Sequence, residues 1–563
     1  MMLQDLVYTQ LQNALAAIGA APDTLAPFEI PRQQGFGHLS TTVAMSLARE
    51  LRKPPRAIAQ ELINHMGQIP MVDKIEIAGA GFINVTFAPA AFHAVLQDLE
   101  KKGDDIGRSA IGKGLKVNVE YVSANPTGPL HAGHGRNCAL GDTIANVLEW
   151  TGHEVTREYY FNNAGNQMNK LGLSIAARVC DLLGRAEVLP FPEDGYHGEY
   201  IVTIAELLLS TEKTELEQLV EQSDLETLQT RCRKAGEQWC FEHIKNTLTS
   251  LNIKHDVYFN EDSLYQHDDG KQSRVERTIA NLRERGLVYD KDGAVWFALS
   301  LLQRDNEKVE RQDKVIVKSS GEPTYRLPDI AYHVEKLERG FDKLVDIFGA
   351  DHIATIPDVL SGVEALGYNA NKVKVVIHQM VTFVEDGNVV KFSKRSGKSF
   401  TLDDLIDEVG ADVVRFFFVM RSPGTHLDFD LGLAKEEGEK NPVFYLQYAH
   451  ARICSILRKV GGGVQNSTSV NISVLSHPCE IELIAVLSRF QSVLERSAEN
   501  LEPHIVTEYL RDLASAYHQF YHDCRIIGSE EGLQSARLIL ANVTRQAMYN
   551  GLRVLGVAAP ESM

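Results

Sequence analysis

Two short clusters in this chain carry residue types suited to phosphate chemistry. The first is P-L-H-A-G-H-G at 129–135, where His131 and His134 flank Ala-Gly between a β-type run, KVNVEYVS, and a helical run, RNCALGDTIANVLEWTG. A helix N-terminus presents unpaired N–H groups and the positive end of the helix dipole, which suits phosphate. Gly133 would let a nucleotide come close to the backbone. The i, i+3 spacing puts both imidazoles on one side of the turn, as donors to phosphate oxygens. The same residues also suit a metal site or a pair of ordinary loop histidines. The second cluster is V-K-F-S-K-R-S-G-K at 390–398, after the turn Glu385-Asp386-Gly387. Lys391 and Lys394 bracket Ser393 on a short loop. Cations that close over a triphosphate stabilise charge on departing pyrophosphate, often the largest catalytic effect. A basic surface loop is the plainer reading of the lysines taken alone.

The elements that must position these residues follow from pattern and length. A chain of 563 residues is too long for one core, so three or four domains are expected. Residues 1–110 read as a small α+β module, with a helical start and a glycine-punctuated strand pair at KIEIAGAGFINVTFAP. Residues 111–440 read as an alternating α/β domain. It opens with a βαβ unit at 116–160, is interrupted by a helical insertion at about 166–290, and resumes with AVWFALS, KVIVKSS, KLVDIFGA, KVKVVIHQMVTFVEDG and NVVKFSK, which would complete a parallel sheet. Residues 441–563 read as an all-helical bundle.

Composition narrows the function. The net charge of −18 argues against indiscriminate nucleic-acid binding, but it is uneven. Residues 193–262 hold 6 Lys/Arg against 15 Asp/Glu, whereas 1–110 hold 9 against 11 and 441–563 hold 10 against 11. An RNA partner could dock on the two near-neutral ends. Seven scattered cysteines form no C-x-x-C pair, so no structural zinc and no disulfide framework are expected, and a reducing cytoplasm is the default compartment. No apolar run approaches the roughly 18 residues of a membrane span, and the first residues lack the basic n-region and cleavage site of a signal peptide.

Together, a histidine pair after the first strand and a K-x-S-K loop about 260 residues later resemble the HIGH and KMSKS signatures of class I aminoacyl-tRNA synthetases. Phe392 stands where Met is usual and Arg395 where the final Ser is usual; both lysines are retained. The run V-E-Y-V-S-A-N-P-T-G-P-L-H-A-G-H-G-R-N-C-A-L-G-D at 119–142, T-Y-R-L-P-D-I-A-Y-H at 324–333 and F-G-A-D-H at 348–352 are similar to arginyl-tRNA synthetases specifically, with Leu327 in place of the more frequent Thr. NPVFYLQYAHARICSILRK and LASAYHQFYHDCRIIG resemble that family's anticodon-binding domain, so the likeness runs from about residue 27 to the C-terminus.

The resemblance implies a Rossmann-like parallel-sheet catalytic domain with an inserted connective region, a small α+β N-terminal domain and an all-α C-terminal bundle. It implies activation of L-arginine with ATP and Mg2+, followed by transfer to the 2′-hydroxyl of the terminal adenosine of tRNA(Arg), with activation requiring bound tRNA. His131, Gly133, His134, Lys391 and Lys394 would handle the phosphates, and His378, Gln379 and Met380 would offer backbone contacts to adenine. A guanidinium is a planar fork of five donors that stays charged, so carboxylates should grip it. Glu120 and Asp329 are the candidates, with Tyr325 as a wall, Asn125 nearer the amino-acid backbone, and Ser123, Tyr332 and His333 close by. Tyr445, Tyr448 and Arg452 suit splayed anticodon bases, and core packing suits them too. Phe36, within Gly35-Phe36-Gly37-His38, would face the tRNA elbow unless that stretch is a simple turn. A monomer is expected. The rivals are another class I synthetase, such as the cysteinyl type with its zinc set, and a non-catalytic RNA-binding paralogue.

Overall fold

A computed structural model of the chain describes residues 2–21, 28–31, 35–163, 166–267, 270, 272–303, 311–390, 400–461 and 470–563. Lys391 and Lys394 therefore lie outside the described residues. No helix among the described residues is long and apolar enough to cross a membrane.

The N-terminal module is a three-stranded antiparallel sheet with helices packed on it. Strand β1 (Leu39–Thr41) pairs with β3 (Phe82–Phe87), which pairs on its other side with β2 (Val72–Ala78). Helices α1 (Asp5–Ala17), α2 (Pro55–Met66) and α3 (Pro89–Lys102) cover it; α2 and α3 each start on a proline, whose missing N–H costs nothing at that position. Val7, Leu11, Ile58, Leu62, Ile83 and Val85 form the buried interior.

The central domain begins with β4 (Lys116–Glu120), α4 (His134–Trp150) and β5 (Glu154–Phe161). Three helices follow, α5 (Asn166–Leu182), α6 (Glu199–Glu221) and α7 (Leu225–Ser250), with their own apolar interior. The chain then returns to the sheet as β6 (Val257–Asn260), forms β7 (Val288–Lys291), β8 (Ala294–Phe297) and β9 (Lys314–Val317), and runs through α8 (Arg326–Glu338), β10 (Lys343–Gly349) and β11 (Val373–His378). Beyond these come β12 (Val381–Glu385), β13 (Asn388–Val389) and, after helices α9 (Leu402–Val409) and α10 (Ala411–Val419), β14 (Leu427–Asp430). The main sheet has five parallel strands in the order β11-β10-β4-β5-β6. Strand order reverses between β4 and β10, the point where ligands enter such sheets, at the carboxyl ends of the strands.

Two sequence expectations need correction. The insertion assigned to about 166–290 is not continuous, because β6 lies within it and pairs with β5; VYFN is too short to register against the flanking helical periodicity. AVWFALS and KVIVKSS do not extend the parallel sheet either. They give β8 and β9 of a separate antiparallel sheet with β7, whose two-residue turn into β8 cannot make a parallel crossover. The strands β12, β13 and β14 form a third small sheet.

Helices α11 (Pro442–Lys459), α12 (Pro478–Leu487), α13 (Phe490–Asn500), α14 (His504–Asp523) and α15 (Glu531–Leu555) build the C-terminal bundle. One buried guanidinium ties it to the sheet. Arg415 of α10 donates Nε–H to the Leu555 carbonyl at the end of α15 (2.8 Å), Nη1–H to the Leu251 carbonyl after α7 (2.7 Å), and Nη2–H to Asp142 of α4 (2.5 Å). Helix α4 itself lies directly on the chain leaving β4, since a Cβ on Gly141 would fall 2.2 Å from Tyr121. Replacing Arg415 with alanine leaves two carbonyls without their donor and Asp142 with only the longer ion pair to Arg157 at 3.8 Å. The expected cost is about 3–5 kcal/mol, read as a lower denaturant midpoint for the domain transition; an unchanged midpoint would deny this residue its role at the junction.

Candidate active site

The turn after β4 is assembled by hydrogen bonds within it. The His131 N–H donates to His134 Nδ1 (3.2 Å) and the Gly133 N–H donates to His131 Nδ1 (3.1 Å). Both rings therefore carry their proton on Nε2, leaving one outward donor each. The imidazoles stack at 3.8 Å, which requires glycine at 133, because a Cβ there would lie 2.9 Å from the His131 ring. Burial lowers the pKa of both, and for His134 burial, His131 and His378 together bring it to about 3. At neutral pH the pair is uncharged. It can donate hydrogen bonds to phosphate, and positive charge must come from elsewhere.

The chain on the far side of the lysine loop is clamped to this turn. The Ala132 N–H donates to the Phe400 carbonyl (3.1 Å), the Leu402 N–H donates to the Leu130 carbonyl (2.7 Å), and His131 bridges Thr401. Thr401 then caps α9 in a reciprocal box with Asp404. On the near side, the Val390 N–H donates to the Phe383 carbonyl. The residues at the far end of the segment that carries Lys391 and Lys394 thus sit against the histidine turn, although the two lysines themselves fall outside the described residues.

Asn137 of α4 joins three parts of the cleft: its Oδ1 accepts from the Val122 N–H (2.6 Å) and its Nδ2 donates to the Ile347 carbonyl of β10 (2.8 Å), with His378 Nε2 at 3.4 Å. Arg136 donates to the carbonyls of Gln379 (2.8 Å) and Ser422 (3.0 Å), and the Gln379 N–H donates to the Pro423 carbonyl. The Gln379 backbone is thus largely engaged internally, which weakens its expected part in adenine contact; Met380 beside it is 75% exposed.

On the other side of β4 lies a layer of carboxylates. Asp346, Glu120 and Glu158 stand directly opposite one another across β10, β4 and β5. Cations from α8 neutralise them: Lys336 Nζ donates to Glu120 (2.7 Å) and Asp346 (2.6 Å), Arg339 pairs with Glu158 through both Nη atoms (2.6 and 2.7 Å), and His333 Nε2 meets Asp346 at 3.0 Å. The second Glu120 oxygen accepts from Ser123 Oγ (3.0 Å). Glu120, expected from sequence to grip a guanidinium, already has both oxygens engaged, and its partner Lys336 was not singled out because it lies 216 positions away.

Asp329 differs. It heads α8, and its carboxylate has neither a hydrogen bond nor an ion pair among the described residues. Burial raises its pKa to about 7, with Glu120 and Glu261 adding to the rise while His333 and Lys336 oppose it. Tyr325, one turn earlier, is 70% exposed and stands at the mouth. Tyr332 donates to Glu158 (2.6 Å). Asn125 Nδ2 donates to Gln167 (2.5 Å), in a loop whose entry, Val122 and Ser123, takes two consecutive positive φ angles of 69° and 42°. Tyr159 and Tyr200 hold that loop by donating to the carbonyls of Ala124 (2.7 Å) and Thr127 (2.6 Å).

The end domains place their expected residues on open faces. Tyr445 and Tyr448 are half-buried on α11, packed against His518 of α14, and Arg452 lies over Tyr521 at 4.3 Å and Tyr448 at 5.3 Å. Phe444, His518 and Tyr521 complete this aromatic and cationic patch and were missed, because their spacing alone reads as helix interior. Phe36 is 40% exposed, whereas His38 accepts the Phe87 N–H at Nδ1 (3.0 Å) and packs edge-on to Phe92, a structural role.

Residues 5–87 match the family model of the arginyl-tRNA synthetase N-terminal domain, residues 95–415 that of the catalytic domain of class I (R) tRNA synthetases, and residues 446–563 that of the DALR anticodon-binding domain. An arginine–tRNA ligase of Salinibacter ruber is 46% identical, with 100% of both chains covered. One from Desulfotalea psychrophila is also 46% identical, over 95% of this chain and 94% of its own. The arginyl-tRNA synthetase of Thermus thermophilus superposes with a TM-score of 0.79 over 100% of both chains; at 22% identity that likeness speaks to the fold. Sequence, domain order and cleft agree, and the chain belongs to the arginyl-tRNA synthetase family.

Proposed function

We propose that this enzyme activates L-arginine with ATP and transfers it to the 3′-terminal adenosine of tRNA(Arg). The observation that carries the arginine assignment is the unpartnered Asp329 carboxylate at the head of α8, in a cleft whose nearby cations are already paired with Glu120, Asp346 and Glu158. A guanidinium supplies the charge and the donors this carboxylate lacks.

ATP arrives as its magnesium complex, with the ion on the phosphates as part of the substrate. The arginine carboxylate attacks the α-phosphorus, the bond to the β-phosphate oxygen breaks, and pyrophosphate leaves. The 2′-hydroxyl of the terminal adenosine then attacks the carbonyl carbon of the adenylate and AMP departs. The protein contributes alignment and charge. His131 and His134 hold phosphate oxygens through their Nε2–H groups at the N-terminus of α4. Lys391 and Lys394 supply the positive charge that the neutral histidines do not. Asn125 faces the amino-acid backbone, Tyr325 closes the mouth, and Glu120 holds Lys336 and thereby α8. The Tyr445, Tyr448 and Arg452 face takes anticodon bases, and Phe36 contacts the tRNA elbow. The enzyme works as a monomer in the cytoplasm.

ATP–pyrophosphate exchange with each amino acid, with and without total tRNA, tests the reading. Exchange driven by arginine when tRNA is present supports it; cysteine-driven exchange would instead mark another class I synthetase, and none at all an RNA-binding protein. Lys394→Ala should lower the exchange rate about 10²–10³-fold, and unchanged turnover removes that lysine from the mechanism. The KM for arginine should fall as pH rises through about 7, because the Asp329 carboxyl is neutral below its raised pKa and charged above it, while the guanidinium stays charged throughout. Asp329→Asn should raise the KM and flatten this dependence; a wild-type KM that does not change with pH excludes Asp329 as the guanidinium partner.

A further inference from the structure

A fully buried cation on the nucleotide side of the cleft has no counter-ion. Arg136, in the first turn of α4, exposes no surface, and no carboxylate pairs with it among the described residues. Burial lowers its pKa to about 10, so it stays charged at neutral pH. Its Nε–H is buried and meets no acceptor among the described residues. A well-packed apolar side chain would be more stable there if filling space were the only task.

What the guanidinium does is join three chain segments. Nη1–H donates to the Gln379 carbonyl (2.8 Å), one residue past the end of β11. Nη2–H donates to the Ser422 carbonyl (3.0 Å), in the loop between α10 and β14. The Gln379 N–H donates to the Pro423 carbonyl (3.0 Å), so the two receiving segments are tied to each other as well. Arg136 disfavours a proton on His378, and His378 disfavours one on His134, so the three groups are neighbours. Asp329, unpaired on the opposite side of β4, repels a triphosphate. A nucleotide whose phosphates meet the histidine turn therefore extends the other way, over the carboxyl ends of β10 and β11. There Met380 leaves its side chain 75% exposed, an apolar surface for a base.

We propose that Arg136 is a positioning residue for ATP, holding the base end of the nucleotide site at a fixed distance from the histidine turn. This rests on the reading of the enzyme as an ATP-dependent ligase. Being buried, Arg136 does not touch the nucleotide itself. The base end is built on 378–380, the phosphate end on 131–134, and the guanidinium sets the span between them. A planar fork suits this task because it fixes direction as well as distance, which an ammonium on a flexible stem does not. With both ends in register, binding one end of ATP presents the other at high effective concentration.

Arg136→Lys keeps the charge and removes the fork, and Arg136→Gln removes both. In the arginine-dependent exchange assay, kcat/KM for ATP should fall about 100-fold in each, as for a reactant misplaced by about 1 Å. Adenosine and magnesium tripolyphosphate, as competitors against ATP, read the two ends separately. Their inhibition constants and the KM for arginine should stay at wild-type values, whereas a general loss of structure would move all of them together. If Arg136→Gln does not fold, Arg136→Lys, which retains the charge and one donor, carries the test. Wild-type kcat/KM for ATP in a folded variant overturns the proposal. So does weaker tripolyphosphate inhibition in Arg136→Gln that Arg136→Lys restores, because Arg136 would then act as a charge for the phosphates. Wild-type enzyme without arginine-dependent exchange would instead overturn the functional reading beneath it, so the two failures are distinct.

Discussion

The substrate side of the cleft depends on one buried ammonium. Asp346, Glu120 and Glu158 stand opposite one another on adjacent strands, an arrangement that like charges make unfavourable. Lys336, with no exposed surface, sits between the first two and is assisted by His333 and Arg339 from the same helix. Burial works against the charge on Lys336, but the surrounding carboxylates outweigh it and push its pKa up, while Lys336 and His333 hold that of Asp346 well below the usual carboxylate range. Charges buried this way are compensated or not tolerated. Helix α8 is therefore latched to the sheet in one rotation, and that rotation delivers Asp329 and Tyr325 to the cleft.

The same arrangement separates two kinds of acid in one pocket. Glu120, whose oxygens are engaged by Lys336 and Ser123, serves the scaffold. Asp329, on the same helix as those paired cations, has neither a hydrogen bond nor an ion pair among the described residues, and burial raises its pKa to about 7. The nucleotide side of the cleft shows the converse. There the imidazoles are buried, stacked and neutral, so the turn fixes their geometry and they bring hydrogen-bond donors without charge.

Much of this was legible in the sequence. The three-part architecture, the turn at 129–135 and the family likeness all follow from runs of local pattern, and Asp329 stood out within one such run. What could not be read was pairing across long separations. Nothing near Glu120 announces that Lys336 will occupy it, and nothing near Arg415 announces Asp142 and Leu555. Short elements were also hidden: four residues of β6 inside a helical stretch, and Glu261 immediately after them, carry too few positions for a period to show.

Arg415 has a further consequence. Its rigid planar fork meets the last carbonyl of the terminal helix, the end of the insertion and the helix that begins at His134. Such a joint transmits compression and tension with little slack. The bundle, the insertion and α4 therefore share one cation, and a shift of any one of the three costs contacts that hold the other two.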